Sequence, residues 1–274
     1  MTQVTGVARV SHGTDERRIA ERLAAAGVAS PHWDAGMLVR HASTTGADLE
    51  TLVRRRAARE PLQHILGTAA FRYLELAVGL GVFVPRPETE LLVDAALAAV
   101  RGLARPVAVD LCAGSGAVGI SLGVELARMG IDADVHLVES DPRAMPWLSR
   151  NVSTYGSEAR RLRVHEGDLA NAVAALVGCV DVVAANPPYL PESAPIDRET
   201  RFDPEAALWG GADGLDVIRR VVPVAAGLLH EGGTLVVEHD VSHDLRPLFG
   251  PEWHSVARHD DLTGRPRFST AVRS

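Results

Sequence analysis

Val107-Ala108-Val109-Asp110-Leu111-Cys112-Ala113-Gly114-Ser115-Gly116 decides the fold. The first five residues, apolar apart from Asp110, read as a buried strand. Glycines at 114 and 116 allow a tight turn close to a ligand, and a helix is expected directly after Gly116. A strand that passes through a glycine-rich turn into a helix is the opening of a βαβ unit. The same alternation continues downstream. Val135 to Glu139 is a strand, followed by a helix from about Ala144 to Tyr155. Leu162 to His165 is a strand ahead of Gly167-Asp168, and Val180 to Ala185 is another. A helix over Leu215 to Leu229 leads to a strand over Gly233 to Glu238, and Ser255–Arg258 and Arg267–Val272 read as two closing strands. Alternating strands and helices imply an α/β protein with a parallel, doubly wound sheet covered on both faces.

Upstream the pattern is helical. Thr14 is expected to cap a helix ending at Gly27, Ser30-Pro31 to open a second, and Thr45 with Asp48 to precede a third. Pro61 opens a short fourth piece stopped by Gly67. Arg54, Arg55, Arg56 and Arg59 read first as a solvated helix face, and otherwise as a contact for an acidic partner. A hairpin follows, with strands Phe71–Leu76 and Val82–Val84 joined through Gly79 and Gly81. The expected division is a helical N-terminal domain over 1–75 serving partner recognition, a hairpin and linker over 76–87, and a catalytic domain over 88–274.

Bulk composition sets further bounds. The chain has 274 residues and a net charge of −7, which argues against a general nucleic-acid binder. All 28 basic residues are arginine, a bias we attribute to codon usage. Cys112 and Cys179 lie in or beside apolar runs and are expected to be reduced and buried, as in a cytoplasmic protein. The first thirteen residues lack an apolar core of the signal-peptide kind, and no run is long enough to span a membrane. No metal site is expected.

The glycine turn contains G-x-G-x-x-G as Gly114, Gly116 and Gly119, a pattern that alone suits many nucleotides. Asp110 stands where it would repel a pyrophosphate, and an acid there suits the amino end of the methionine in S-adenosylmethionine. Glu139, ending the second strand of the series, can accept from both ribose hydroxyls. Asp168 can accept from an adenine amino group.

Asn186-Pro187-Pro188-Tyr189 closes the fourth strand of the series. Neither proline has an N–H, so the carbonyls of Asn186 and Pro187 stay free as acceptors. The Asn186 amide adds a third acceptor, and Tyr189 an aromatic wall. Such a turn holds a flat NH2 group by its hydrogens and leaves the nitrogen open to attack. Alkylation of an amino group conjugated to a π-system needs that geometry.

With these motifs together the chain resembles the PrmC/HemK family, the protein-glutamine N5-methyltransferases of peptide chain release factors. The resemblance runs through Glu60–Gly67, Phe83-Val84-Pro85-Arg86-Pro87-Glu88-Thr89-Glu90, Asn186–Tyr189, Phe202–Leu208, Gly211–Asp216 and Asp261–Arg267. It implies a Rossmann-like, seven-stranded, S-adenosylmethionine-dependent methyltransferase sheet with a small helical N-terminal domain and a linking β-hairpin. It further implies cofactor binding by Phe83, Cys112, Ala113, Gly114, Ser115, Gly116, Glu139, Asp168, Leu169 and Asn186. Catalysis and substrate binding fall to Asn186, Pro187, Pro188 and Tyr189. The implied substrate is the glutamine of a release factor's Gly-Gly-Gln loop, and the enzyme is expected to be a cytoplasmic monomer without a membrane or nucleic-acid substrate. Cys112 and Ala113 differ from the family's G-T-G-[ST]-G, Leu169 stands where tryptophan is frequent, and Glu238-His239-Asp240 departs from E-H-G. The rival readings are a glutamine methyltransferase of a ribosomal protein, a nucleic-acid amino-methyltransferase, and a non-catalytic scaffold.

Overall fold

The computed structural model describes residues 7–274, with side chains from Asp15 onward. Two compact units form: one holds the chain up to Thr68 together with Ile196–Phe202, the other Ala69–Pro195 and Asp203–Ser274.

The first unit is built from four helices, α1 (Val7–Ala25), α2 (Pro31–Thr45), α3 (Leu49–Ala57) and α4 (Leu62–Leu66). Helix α1 already runs at Val7, so Thr14 lies inside it and is not its cap. Asp48, rather than Thr45, caps α3, its carboxylate accepting from Thr51 N–H at 3.0 Å. Leu23, Leu38, Val53 and Ile65 fill the core. The arginine run divides. Arg54 is exposed, whereas Arg56 is buried and reaches Asp34 at 2.6 Å and Glu199 at 2.9 Å. Arg59 shares Glu199 at 2.8 Å and also donates to the Gly27 carbonyl. Arg55 pairs with Glu60 at 2.5 Å. Three of the four arginines are thus spent on internal ion pairs, and the buried one, Arg56, is tolerated because its charge and its donors are matched.

In the second unit a hairpin pairs β1 (Thr68–Phe71) with β2 (Leu74–Ala77). This corrects the expected register: Phe71–Leu76 is not one strand but folds back at Arg72-Tyr73, and Val82–Val84 is not a strand. The cause is Arg72, held at φ 50° by its backbone N–H on Glu90 and its guanidinium on Glu125 and Asp94. After α5 (Glu90–Ala99) come β3 (Val107–Leu111), α6 (Ala117–Arg128), β4 (Asp134–Glu139), α7 (Met145–Ala159), β5 (Leu162–Glu166) and β6 (Val180–Ala185). Then follow α8 (Ile218–Leu228), β7 (Leu229–Glu238), β8 (Trp253–Asp260) and β9 (Pro266–Arg273). The sheet order is β5-β4-β3-β6-β7-β9-β8, with the first five strands parallel and β9 antiparallel to both of its neighbours, β7 and β8. It is the expected seven-stranded, mostly parallel α/β sheet. Alternate residues of the central strands feed two cores. Ala108, Val135 and Leu137 face one with α5, α6 and α7; Val109, Leu111 and Val183 face the other with α8.

Both cysteines are free. Cys112 is half-buried, but Cys179 is exposed, which corrects the expectation of a buried thiol there. It sits in the turn just ahead of β6, before the strand enters the sheet. Among the described residues no helix is long and apolar enough to cross a membrane.

Candidate active site

Parallel pairing brings the carboxyl ends of the central strands to one edge. Leu111, last in β3, lies opposite both Val138 of β4 and Ala185 of β6. Cys112 and Asn186 therefore leave the sheet side by side. Glu139 lies opposite Glu166, so Asp168 emerges just beyond it. Open α/β sheets bind ligands along this edge.

The glycine turn is curled by three left-handed residues, Cys112 (φ 63°), Gly114 (φ 56°) and Gly116 (φ 84°). It is pinned from both sides. Ala113 N–H donates to the Val138 carbonyl at 2.9 Å, and Asn151 of α7 donates to the Ser115 carbonyl at 2.9 Å. Burial pushes the Cys112 thiol pKa well up, so it stays protonated and uncharged. A side chain added at Gly114 would meet nothing within 4 Å, so open space lies beside the turn.

Glu139 bounds that space. Its carboxylate accepts from Gly114 N–H, Ser140 N–H and Asp141 N–H, each at 2.7 Å. A carboxylate offers about four lone-pair sites, so about one is left for a hydroxyl. The expected pair of ribose bonds narrows to one unless a backbone bond yields. Asp110 is turned the other way: it is buried, accepts from Gly119 N–H at 2.8 Å, and ties the first turn of α6. Burial raises its pKa to about 7, with Glu139 adding to the rise. It braces the turn through the Gly119 N–H.

Asp168 is exposed and accepts from Ala170 N–H at 3.0 Å, and Arg220 of α8 pairs with it and holds its carboxyl below the usual range. Leu169 is buried in the core beneath α8. Phe83 lies under the Arg86 guanidinium, 4.8 Å from the ring centre. Arg86 is held by Asp203 at 2.5 Å, and Asp203 also accepts from Val84 N–H at 3.2 Å. Gly81 faces Arg143, just past β4, which places this segment at the same edge. The donor set fits S-adenosylmethionine: an open glycine turn, one acid with a free acceptor site, a second acid one strand further, and an aromatic ring.

The Asn186–Tyr189 turn is clamped from outside the sheet. Leu190 N–H donates to the Leu208 carbonyl and Gly210 N–H to the Leu190 carbonyl, both at 2.9 Å. Gly214, at φ 80°, is pressed on the Tyr189 carbonyl. Among the described residues no hydrogen bond reaches the carbonyls of Asn186 or Pro187. Tyr189 packs its ring against the core beneath α8 and donates its hydroxyl to Glu238 at 2.9 Å. Burial, and then Glu238, push the phenol pKa well up. Asn186 donates through Nδ2 to the Thr89 hydroxyl at 3.3 Å.

The chain is 45% identical to the release factor glutamine methyltransferase of Streptomyces coelicolor, over 93% of this chain and 95% of that one. Its counterpart in Corynebacterium glutamicum is 42% identical over 91% and 94%. The chain belongs to the release factor glutamine methyltransferase family. It is an S-adenosylmethionine-dependent methyltransferase. A family model described as "Conserved hypothetical protein 95" matches residues 76–201. Among solved structures, the catalytic domain of hMettl16, determined with the MAT2A 3′UTR hairpin 1, aligns with a TM-score of 0.54. It covers 81% of this chain and 80% of that one at 13% identity, which establishes a shared fold.

Several positions within the release factor glutamine methyltransferase motifs had no role assigned from sequence. Thr89 of the Pro85–Glu90 stretch, Glu238 at the end of β7 and Arg267 of β9 converge beneath Asn186 and Tyr189. Glu238 is fully buried; its Oε1 takes the Tyr189 bond. Oε2 has no partner in ordinary hydrogen-bond geometry, yet the Thr89 hydroxyl is close enough to favour the charged form. No periodicity flags these contacts, because they come from strands and turns far apart in sequence.

Burial dominates Glu238 and raises its pKa from the ordinary 4.5 to about 7. The folded chain therefore keeps this proton where the unfolded chain has lost it. The stabilisation is complete below pH 4.5 and is lost as pH rises to about 7. Glu238→Gln removes this dependence. Denaturation from pH 4.5 to 8 should show the stability difference, wild type minus variant, falling by about 3 kcal/mol. A difference that stays constant with pH would refute the raised pKa.

Proposed function

We propose that this methyltransferase modifies the side-chain amide nitrogen, N5, of the glutamine in the Gly-Gly-Gln motif of peptide chain release factors. The observation that carries this reading is the register of Cys112 with Asn186 across β3 and β6. It sets the open glycine turn beside acceptors that, among the described residues, take no other hydrogen bond. The names of the relatives, release factor glutamine methyltransferases from Streptomyces coelicolor and Corynebacterium glutamicum, support the substrate.

An amide nitrogen is a poor nucleophile because its lone pair is delocalised into the carbonyl. Asn186 Oδ1 and the Pro187 carbonyl would accept its two hydrogens and thereby fix the nitrogen and favour electron density on it. Most of the rate gain comes from that positioning. S-adenosylmethionine, when bound, supplies an electrophilic methyl on a sulfonium. Glu139, Asp168, Phe83 and the Cys112–Gly116 turn, with Leu169 behind them, would hold it. The methylated nitrogen is a strong acid and releases its proton to water, so no tuned base is required.

Glutamine on a loop is a small target, and affinity must come from elsewhere. We assign partner recognition to the helical unit, where Trp33 is exposed with Arg40 stacked over it at 5.8 Å. Tryptophan and arginine are the residues that most often anchor interfaces. The Trp33→Ala/Arg40→Ala double variant should raise the KM for release factor about tenfold with kcat retained. Unchanged KM would remove the helical unit from the recognition. The acceptor-lined turn also suits an adenine, cytosine or guanine amine, but the net charge of −7 disfavours a nucleic-acid substrate. The setting is cytoplasmic, where release factors act, and the enzyme works as a monomer.

The test is mass spectrometry of a release factor incubated with enzyme and S-adenosylmethionine. One methyl on the Gly-Gly-Gln glutamine is expected. Transfer only to a ribosomal protein or to nucleic acid would overturn the assignment.

A further inference from the structure

We infer that His243 is a positioning residue that locks the Asp213-Gly214 backbone onto the Asn186–Tyr189 turn, and so sets where the Asn186 and Pro187 acceptors stand. The inference rests on the amide-methylation reading above.

His243 follows the end of β7, just past the stretch where the chain departs from E-H-G. It is 6% exposed, and its place is fixed from the sheet outward. The Asp240 carbonyl accepts from His239 Nδ1–H at 2.8 Å and from His243 N–H at 3.0 Å, which uses both of its lone pairs. With its proton on Nδ1, His239 accepts at Nε2 from the Ser269 hydroxyl of β9 at 2.9 Å. The Asp240 carboxylate takes both the N–H and the hydroxyl of Ser242, closing the turn that leads into His243.

The His243 ring reaches away from this anchor. Its Nε2 lies 3.0 Å from the Asp213 carbonyl oxygen, which can only accept, so Nε2 carries the proton and donates. Among the described residues Nδ1 is buried without a partner. The single hydrogen bond of the ring is thus directed at the Asp213 backbone. That loop in turn lies on the catalytic turn. A Cβ added at Gly214 would be pressed on the Tyr189 carbonyl oxygen and lie 3.0 Å from the His243 ring, so the Gly214 backbone stands against both. A Cβ added at Gly210 would meet the Gly214 carbonyl and, at 2.8 Å, the Pro188 carbonyl oxygen. Asp213 has a second anchor, its carboxylate on Arg219, but that pair is exposed and contributes little. The buried bond from His243 holds the loop down. Without it the Gly214 backbone lifts from the Tyr189 carbonyl, and the turn that carries Asn186 relaxes with it.

The test uses the full chain, a release factor and S-adenosylmethionine, and compares His243→Gln with His243→Leu. Glutamine brings an amide NH2 near the position of Nε2 and keeps the donor; leucine fills the space without one. H243L should lower kcat about thirtyfold, with KM for release factor and cofactor affinity by calorimetry each within about twofold. H243Q should recover most of the loss. In parallel, backbone amide exchange is followed by 15N NMR on the enzyme alone. Leu190 N–H and Gly210 N–H, bonded to the Leu208 and Leu190 carbonyls, should exchange about tenfold faster in H243L than in wild type or H243Q, while Gly114 N–H is unchanged. Equal acceleration of all three would mark a loss of overall stability and overturn the inference. If H243L does not fold, His243→Asn, whose amide is too short to reach Asp213, carries the same comparison against H243Q. Equal kcat in H243L and wild type, an H243Q as impaired as H243L, or unchanged exchange at Leu190 and Gly210 in H243L also overturns it. The exchange result stands even if the wild type fails to methylate release factor, an outcome that would instead remove the substrate assignment.

Discussion

Asn186→Ala should reduce kcat/KM for release factor by about a thousandfold or more while the protein stays folded. The two halves of this expectation have separate physical origins. Asn186 is half-buried, and among the described residues its side chain makes one hydrogen bond, a 3.3 Å contact with Thr89. Losing one neutral hydrogen bond of that kind costs about 1 kcal/mol of stability or less. Catalysis loses far more, because the amide then lacks the acceptor that fixes its nitrogen in line with the methyl. Cofactor affinity should change little, since the glycine turn is pinned independently by Val138, Asn151 and Glu139. Steady-state kinetics, calorimetry with S-adenosylmethionine and thermal unfolding check the three parts. A kcat within tenfold of wild type would show that Asn186 does not hold the reacting amide.

Gly214→Ala is the second large effect, and it acts through the backbone. A Cβ at this position would lie 2.3 Å from the Tyr189 carbonyl oxygen and 3.0 Å from the His243 ring, at a φ of 80° that alanine rarely adopts. Something must shift. Tyr189 is anchored inward by Glu238, so the shift falls on the turn that carries Asn186. A displacement of about 1 Å in a catalytic group can cost about a hundredfold in rate. We expect that loss in kcat together with about 2–4 kcal/mol of destabilisation from strain and overpacking. Gly227→Ala is the control. Gly227 lies in α8 with nothing within 4 Å of an added Cβ, so its variant should be neutral or slightly more stable. Full activity in Gly214→Ala would mean that the segment following Trp209 does not brace the turn.

The central sheet was legible in sequence because each buried strand ends in a glycine, an acid or a proline pair. Apolar runs fix the strands, and those end residues mark the edge where chemistry occurs. Asn186 and the Cys112–Gly116 turn share that edge in the structure, as the alternation requires. The hairpin was misread because Phe71–Leu76 carries strand-like residues throughout. The turn at Arg72 is imposed by Glu90, Glu125 and Asp94, which come from two other elements. Arg56 looked solvated for the same reason: its partner Glu199 is 143 residues away in sequence. Asp110 and Glu139 were recognisable as acids at strand ends. Their division of labour, one bracing a helix and the other cradling the turn, depends on backbone N–H groups that sequence does not display. Thr89, Glu238 and Arg267 were visible as members of motifs, but only folding brings them beneath Asn186.

The most direct measurement is a crystal structure of the enzyme with S-adenosylhomocysteine and a release factor. The glutamine nitrogen should face the cofactor sulfur, its two hydrogens directed at Asn186 Oδ1 and the Pro187 carbonyl, with the nucleoside between Glu139 and the Gly114 turn. A glutamine seated elsewhere, or an Asn186 that presents its NH2 to the substrate, would contradict the account.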